Sequence, residues 1–397
     1  MSMQKFIVLL VIACVHIVGV SAQDLLPCGE RDYIVDFPRV VPIVWCVELT
    51  LPADLPDDLK NTSLEFDADG TLFATNPYEG ELVAYVDSNG DDLPDTHWLV
   101  ADGLRYPNGL AIHNGIIYVI GDGIIYTIHD DEVSVLVDDL PGGRGFIARA
   151  IVIHDNHLYA GIPSPCDYCV GDNPLHGTVI RMNLDGTERT VIARGLRYPA
   201  GLEIYQGDLW VVDSVRDAYR GRTFYDEINR IPLVDTTIPD FGFPYCIGAE
   251  NIPDYEADFD CDTATAPEIT FLSGSKPVAL HRFQSDVSGT LRDQLLVVLS
   301  GSNVSGGVIP GHLVFSVEIT ENNYLFDTIV PSDWRPDYVL PHWQSETGYN
   351  LLFQNASSVN DEGSGIFPHY VFDVTTNEQG WLFVSIQGRG IYVLRPR

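Results

Sequence analysis

The sequence is short of positive charge. Its 397 residues carry 22 Lys and Arg against 56 Asp and Glu, a formal net charge of -34 at pH 7. A field of that sign repels phosphate, which argues against nucleic acid and anionic membrane surfaces as partners. It favours solubility and cation binding, and its plainest role is a solvated acidic surface. Long hydrophobic runs are also scarce. The one candidate, FIVLLVIACVHIVGV, is short for a membrane span. It follows Lys5 and precedes the small-residue stretch VSA before Gln23. That layout predicts a secretory signal over residues 1–22 and a secreted, extracellular chain without a membrane span. Long helical patterns are missing. So are a P-loop, a dinucleotide-binding glycine pattern and a Ser-His-Asp motif. The 11 histidines form no cluster with metal-ligand spacing.

Cysteine is sparse but even once the leader is set aside. Cys14 leaves with it; Cys28, Cys46, Cys166, Cys169, Cys246 and Cys261 remain. An even count in a secreted chain predicts three disulfides. Pairing of sequence neighbours is the most economical choice, though the connectivity is open. CDYC, at Cys166 to Cys169, reads as a loop staple ahead of a redox or zinc motif, because no second CxxC accompanies it. Asn61, Asn303 and Asn355 each begin an N-x-S/T sequon, the acceptor for glycosylation on surface loops.

What is abundant is repetition. GLRYPNGLAIHNGIIYVI from Gly103 returns as GLRYPAGLEIYQGDLWVV from Gly195. SLEFDADGTLFAT, AIVIHDNHLYAG, ALHRFQSDVSGTLRDQLLVVL and YVFDVTTNEQGWLFVS follow the same grammar. Each is an alternating strand, a turn rich in Gly, Asp or Asn, then a second strand with an apolar or aromatic body. Further strand-like runs follow most copies, so two hairpins build a four-stranded sheet. Six such sheets, spaced by roughly 35 to 75 residues, predict an all-β, six-bladed β-propeller. Residues 23–397 then form one domain despite their length. IVWCVELTLP has no hairpin partner and is expected to join the last blade and close the ring. Within the doubled phrase, Leu110 and Leu202 should pack between sheets, and Gly109 and Gly201 should sit where inner strands crowd.

One loop has metal character. VDSNGDDLPD places oxygens of Asp87, Asn89, Asp91 and Asp95 at positions one, three, five and nine, a spacing that suits calcium. Its glycine is at position four, and no glutamate closes the loop. Asp67 and Asp69 read as a plain hairpin turn. Asp226 and Glu227, in YDEINRI, could hold a cation or act as acid and base, or could equally cap a loop.

The order of RGFIARAIVI, LYAGIPSPCDYC, VIRMNLDG, ARGLRYPAGLEIYQGDLWVVDSVRD, DEINRI and GFPYC resembles the soluble quinoprotein (PQQ-dependent) glucose and sorbosone dehydrogenases. The resemblance spans Glu65 to Arg397 and is strongest from Arg144 to Cys246. It implies a six-bladed propeller, pyrroloquinoline quinone (PQQ) over the central channel, calcium beneath it, and a histidine base. The pattern implies that base at Phe146, which cannot accept a proton. Arg149 and Arg197 are kept. Tyr198 stands where the resemblance implies an asparagine contact. Asp213, Ser214 and Val215 match loosely the stretch that offers carbonyls to calcium, and Asp226 with Glu227 matches an acidic pair. Cationic quinone contacts implied near Ser300 and Phe367 are not basic here.

Two functional expectations follow. One is a secreted, acidic, calcium-binding glycoprotein that has left quinone chemistry and binds a carbohydrate, an extracellular-matrix component or a protein ligand. The other is an active PQQ-dependent oxidoreductase on sugars or related alcohols, with Asp213 or Asp226 as a replacement base. Metal-assisted lactone hydrolysis would need several Asp, Asn and Glu converging in the channel.

Overall fold

The structure is a computed structural model of the 397-residue chain. It describes residues 39–40, 45–49, 63–130, 132–142, 146–214, 225–235, 237–247, 250–251, 259–272, 274–284, 293–301, 313–320, 323–325, 350–354, 370–386 and 390–396. Side chains are described for most of these, but not for the strand Trp45–Leu49. Cys28, Asn61, Val215, Asn303, Asn355 and Phe367 lie outside the described residues.

The chain forms a six-bladed propeller. Blade 1 holds Leu64–Phe66, Leu72–Asn76, Glu81–Val86 and Thr96–Ala101. Blade 2 holds Gly109–His113, Ile116–Gly121, Ile124–His129 and Glu132–Val137. Blade 3 holds Ile151–His154, His157–Ile162, Thr178–Asn183 and Thr190–Arg194. Blade 4 holds Pro199–Tyr205, Asp208–Asp213, Tyr225–Ile231 and Ile269–Leu272. Blade 5 is built on Pro277–Phe283, Gln294–Leu299, Leu313–Thr320 and Asn350–Gln354, with Arg39–Val40 on its outer edge. Blade 6 holds Val371–Thr376, Leu382–Ile386 and Gly390–Pro396. Its fourth strand is Trp45–Leu49, paired antiparallel with Gly390–Pro396. The expected closure by the N-terminal strand is therefore observed.

Local chemistry explains the hairpins. Asn114-Gly115 and Gln206-Gly207 all take positive φ, the conformation that lets two residues reverse a right-twisted pair of strands. Both turns sit inside the doubled phrase. Blade faces are apolar on both sides because each blade is covered by a neighbour. Leu110 packs in the layer between blades 1 and 2, and Leu202 in the layer between blades 3 and 4. Trp381, Phe383, Leu72 and Tyr85 fill the layer between blades 6 and 1, which completes the ring.

The first strand of every blade lines the axis, and successive first strands touch in order round the circle. Crowding there is severe. A Cβ on Gly109 would fall 1.7 Å from the Arg149 carbonyl oxygen, and one on Gly201 would fall 2.7 Å from the Ala279 Cα. Outer strands face solvent; Trp98, Leu99, Val133 and Val135 are exposed on those of blades 1 and 2.

Candidate functional site at the channel and its mouth

The segments that lead into the first strands of blades 2, 3 and 4 meet at one end of the axis. Phe146 and Tyr198 stack there with ring centroids 5.2 Å apart. The Tyr198 hydroxyl donates to the Ile147 carbonyl at 3.2 Å, and Asn108 donates to the same oxygen. Arg197 lies with its guanidinium carbon 4.4 Å from the Phe146 ring centre, a cation–π contact. That guanidinium donates to the Ser214 carbonyl at 2.6 Å and to Asp167 at 2.5 Å. Arg105, its counterpart in the first copy of the phrase, is exposed instead.

Asp213 braces the second copy from behind. Its two carboxylate oxygens accept the backbone N–H groups of Arg197 and Tyr198, at 2.9 and 2.5 Å. Burial raises its pKa, against the opposing pull of those hydrogen bonds and the Arg197 charge. Asp226 is wholly buried and accepts the Lys276 N–H at 2.8 Å. Glu227 pairs across the sheet with Asp213 and accepts from Asn229 at 3.3 Å. Burial, with Asp213 and Asp226 close by, pushes Glu227 up to about 8. At neutral pH it therefore holds a proton. Ser214 is buried, and its hydroxyl donates to the Pro277 carbonyl. The structure thus gathers Phe146, Arg197, Tyr198, Asp213 and Ser214 at one place. Asp226 faces blade 5 instead, on the opposite side of its sheet from Glu227.

Below the mouth runs a cavity of about 260 Å³, lined by the first strands of all six blades. Glu65, Glu203, His281, Asp373 and Arg149 supply its polar wall. Burial above all, then the charges of Glu203 and Asp373, pushes Glu65 up to about 8. Glu203 is pushed up to about 7 by burial, against hydrogen bonds from the Arg282 and Ile204 amides. Burial pushes His281 down to about 4, so its ring is neutral when it meets the Thr376 hydroxyl at 2.9 Å. Arg149 donates to the Phe372 carbonyl at 2.9 Å. Apart from Arg149, none of these groups belongs to a recognisable motif. Their one trace in the sequence is a carboxylate or imidazole inside an apolar inner strand, as in LEF, LEI and LHRF.

The acidic loop of blade 1 folds around its own backbone. Asp87 accepts the amides of Asn89, Gly90 and Asp92; Asn89 accepts that of Asp91; Asp91 accepts that of Leu93; Asp95 accepts that of Ser88. Asp95 reaches back to the start of the loop, whereas the bonds from Asn89, Asp91 and Leu93 are Asx turns, in which a short polar side chain caps the chain two residues on. Asp67 does the same in its hairpin, as expected. Among the described residues no group of three or more His, Cys, Asp or Glu is arranged to hold a metal ion. Cys166 is bonded to Cys169, and Cys246 to Cys261. Among the described residues no helix is long and apolar enough to cross a membrane.

The quinone implied by the resemblance can be tested against these residues. The resemblance implies a histidine base at Phe146, to take the sugar's proton, and a quinone contact from Arg197. The first is a phenyl ring. The second has spent its guanidinium on Asp167, Ser214 and that ring. The residues present do not fit the group.

No protein-family profile matches the sequence, and no curated protein does. Solved structures do match. The holo PQQ domain of pyranose dehydrogenase from Coprinopsis cinerea aligns over 93% of this chain and 99% of its own, with TM-score 0.71 and 15% identity. A calcium structure of a carbohydrate-active enzyme of family AA12 from Trichoderma reesei covers 92% and 99%, at TM-score 0.68 and 17% identity. The PQQ-bound aldose sugar dehydrogenase of Streptomyces coelicolor covers 89% and 98%, at TM-score 0.56 and 13% identity. The chain has the fold of these proteins, two of which are PQQ-containing sugar dehydrogenases.

Proposed function

We propose that this chain is a secreted ligand-binding propeller that has kept the dehydrogenase scaffold and given up the quinone reaction. The carrying observation is the mouth itself. Arg197 is tied to Asp167 and Ser214 and lies over Phe146, where the resemblance implies a base and a quinone contact. A phenyl ring moves no proton, and loss of a general base alone costs about 10² to 10⁴-fold in rate. The replacement bases fare no better. Asp213 is buried with each oxygen turned to a backbone amide of its own blade's entry, and Asp226 is sealed inside the sheet. The ligand is a carbohydrate, in keeping with the sugar substrates named for the proteins that share the fold.

The test is a titration of the purified protein with PQQ and Ca²⁺, followed by heat and absorbance. The expected result is no binding in the micromolar range and no dye reduction with aldoses. Tight binding with sugar-dependent dye reduction would restore the oxidoreductase reading. Calcium on the blade 1 loop belongs to the same proposal. Asp87, Asn89, Asp91 and Asp95 each keep lone pairs beyond those their own backbone uses. Asp87→Ala with Asp91→Ala should abolish the rise in melting temperature that added Ca²⁺ produces. An unchanged rise moves the ion elsewhere.

A further inference from the structure

Asp167 lies between the two joined cysteines, Cys166 and Cys169. No strand runs through residues 163–177, so the loop is shaped by its disulfide and by hydrogen bonds of its own. The Ser164 amide donates to the Arg197 carbonyl at 2.8 Å, and the Ser164 hydroxyl donates to the Cys166 carbonyl at 2.9 Å. The Asp167 side chain is 45% exposed, whereas the guanidinium it holds belongs to a side chain 9% exposed. One covalent bond therefore steadies a carboxylate, the carboxylate steadies a buried cation, and the cation covers Phe146 where it packs on Tyr198.

We propose that the Cys166–Cys169 disulfide is a redox latch on the channel mouth, released by a dithiol reductant. This rests on the reading above that the mouth has given up the quinone reaction, with Phe146 packed on Tyr198 beneath Arg197. The dithiol gives two electrons and two protons. The S–S bond becomes two thiols, and the donor closes its own disulfide. With the loop open, Asp167 leaves Arg197. A guanidinium stripped of its carboxylate is costly to keep buried, and the Arg197 Nε already lacks a hydrogen-bond partner among the described residues. Arg197 turns out toward water, and the Phe146–Tyr198 pair uncovers the cavity below.

Hydrogen exchange at the Arg197 and Tyr198 amides, which Asp213 holds, reads this opening in the full chain. Dithiol treatment should speed their exchange about tenfold, the scale of a lost hydrogen bond between charged groups. Cys166→Ser with Cys169→Ser should match it, and Asp167→Asn should match it with the disulfide intact. Cys246→Ser with Cys261→Ser should leave the exchange as it was. Wild-type exchange rates in either Asp167→Asn or the reduced protein overturn the latch. If the double cysteine variant does not fold, the reduced wild-type protein and Asp167→Asn decide together. Quinone binding by the oxidised protein would remove the reading of the mouth, while the exchange rates judge the latch separately.

Discussion

Glu65 and Glu203 face one cavity with Asp373; burial above all keeps both glutamates protonated, with Glu203 and Asp373 adding to the cost of ionising Glu65 and Asp373 to that of Glu203. Their protons bind more tightly in the folded chain than in the unfolded one, where a glutamate titrates near the ordinary 4.5. The stability they support is therefore full below pH 4.5. It is lost as pH climbs through about 7 and about 8. His281 works oppositely: its folded pKa is about 4 against an ordinary 6.5, so its contribution is lost as pH falls below 6.5. Denaturant midpoints should thus peak in mildly acid buffer and fall towards pH 8. Glu65→Gln with Glu203→Gln should flatten the alkaline side, by something on the order of 1 kcal/mol per pH unit. A midpoint that holds level from pH 6 to 8 in the parent protein would refute this. The sequence disclosed Phe146 and Tyr198, because a motif shows what has been substituted within it. It did not disclose Asp167 as the partner of Arg197, 30 residues away. That contact depends on how one blade's loop crosses the next blade's entry, which no spacing rule encodes.

Hairpins were legible because their signals are local. Period-two apolarity and turns such as Asn114-Gly115 lie within a dozen residues of one another, and the structure places every expected hairpin in a blade. Gly109 and Gly201 were legible for the same reason, as glycines inside otherwise apolar strands. Gly109→Ala should cost about 3 kcal/mol in urea unfolding, because its Cβ would meet backbone that cannot step aside. Gly201→Ala meets a looser contact and should cost less. Equal, negligible costs would mean that the inner strands are spaced more widely than described. The channel acids were hidden at this scale. Alternation tells which residues share a face of a strand. It does not tell that Ala111 in the first copy of the phrase and Glu203 in the second both turn towards the axis.

The ring as a whole depends on one pairing between the two ends of the chain. Blades 1 to 4 close with strands near in sequence and blade 5 takes only Arg39–Val40 on its outer edge, while blade 6 borrows its whole fourth strand, Trp45–Leu49. Deleting residues 45–49 should leave Gly390–Pro396 as an open sheet edge. Lower denaturant midpoints and concentration-dependent light scattering are expected; an unaltered midpoint would show that the ring needs no such clasp. The same pairing sets an order in time. At ~5–20 residues per second, on the order of 20 to 70 s separate synthesis of Trp45–Leu49 from synthesis of its partner. Throughout that interval WCVEL waits without its mate while five blades assemble beside it. A nascent chain of this design is exposed to mispairing until its last residues arrive, and its yield should follow the supply of chaperones more closely than its final stability.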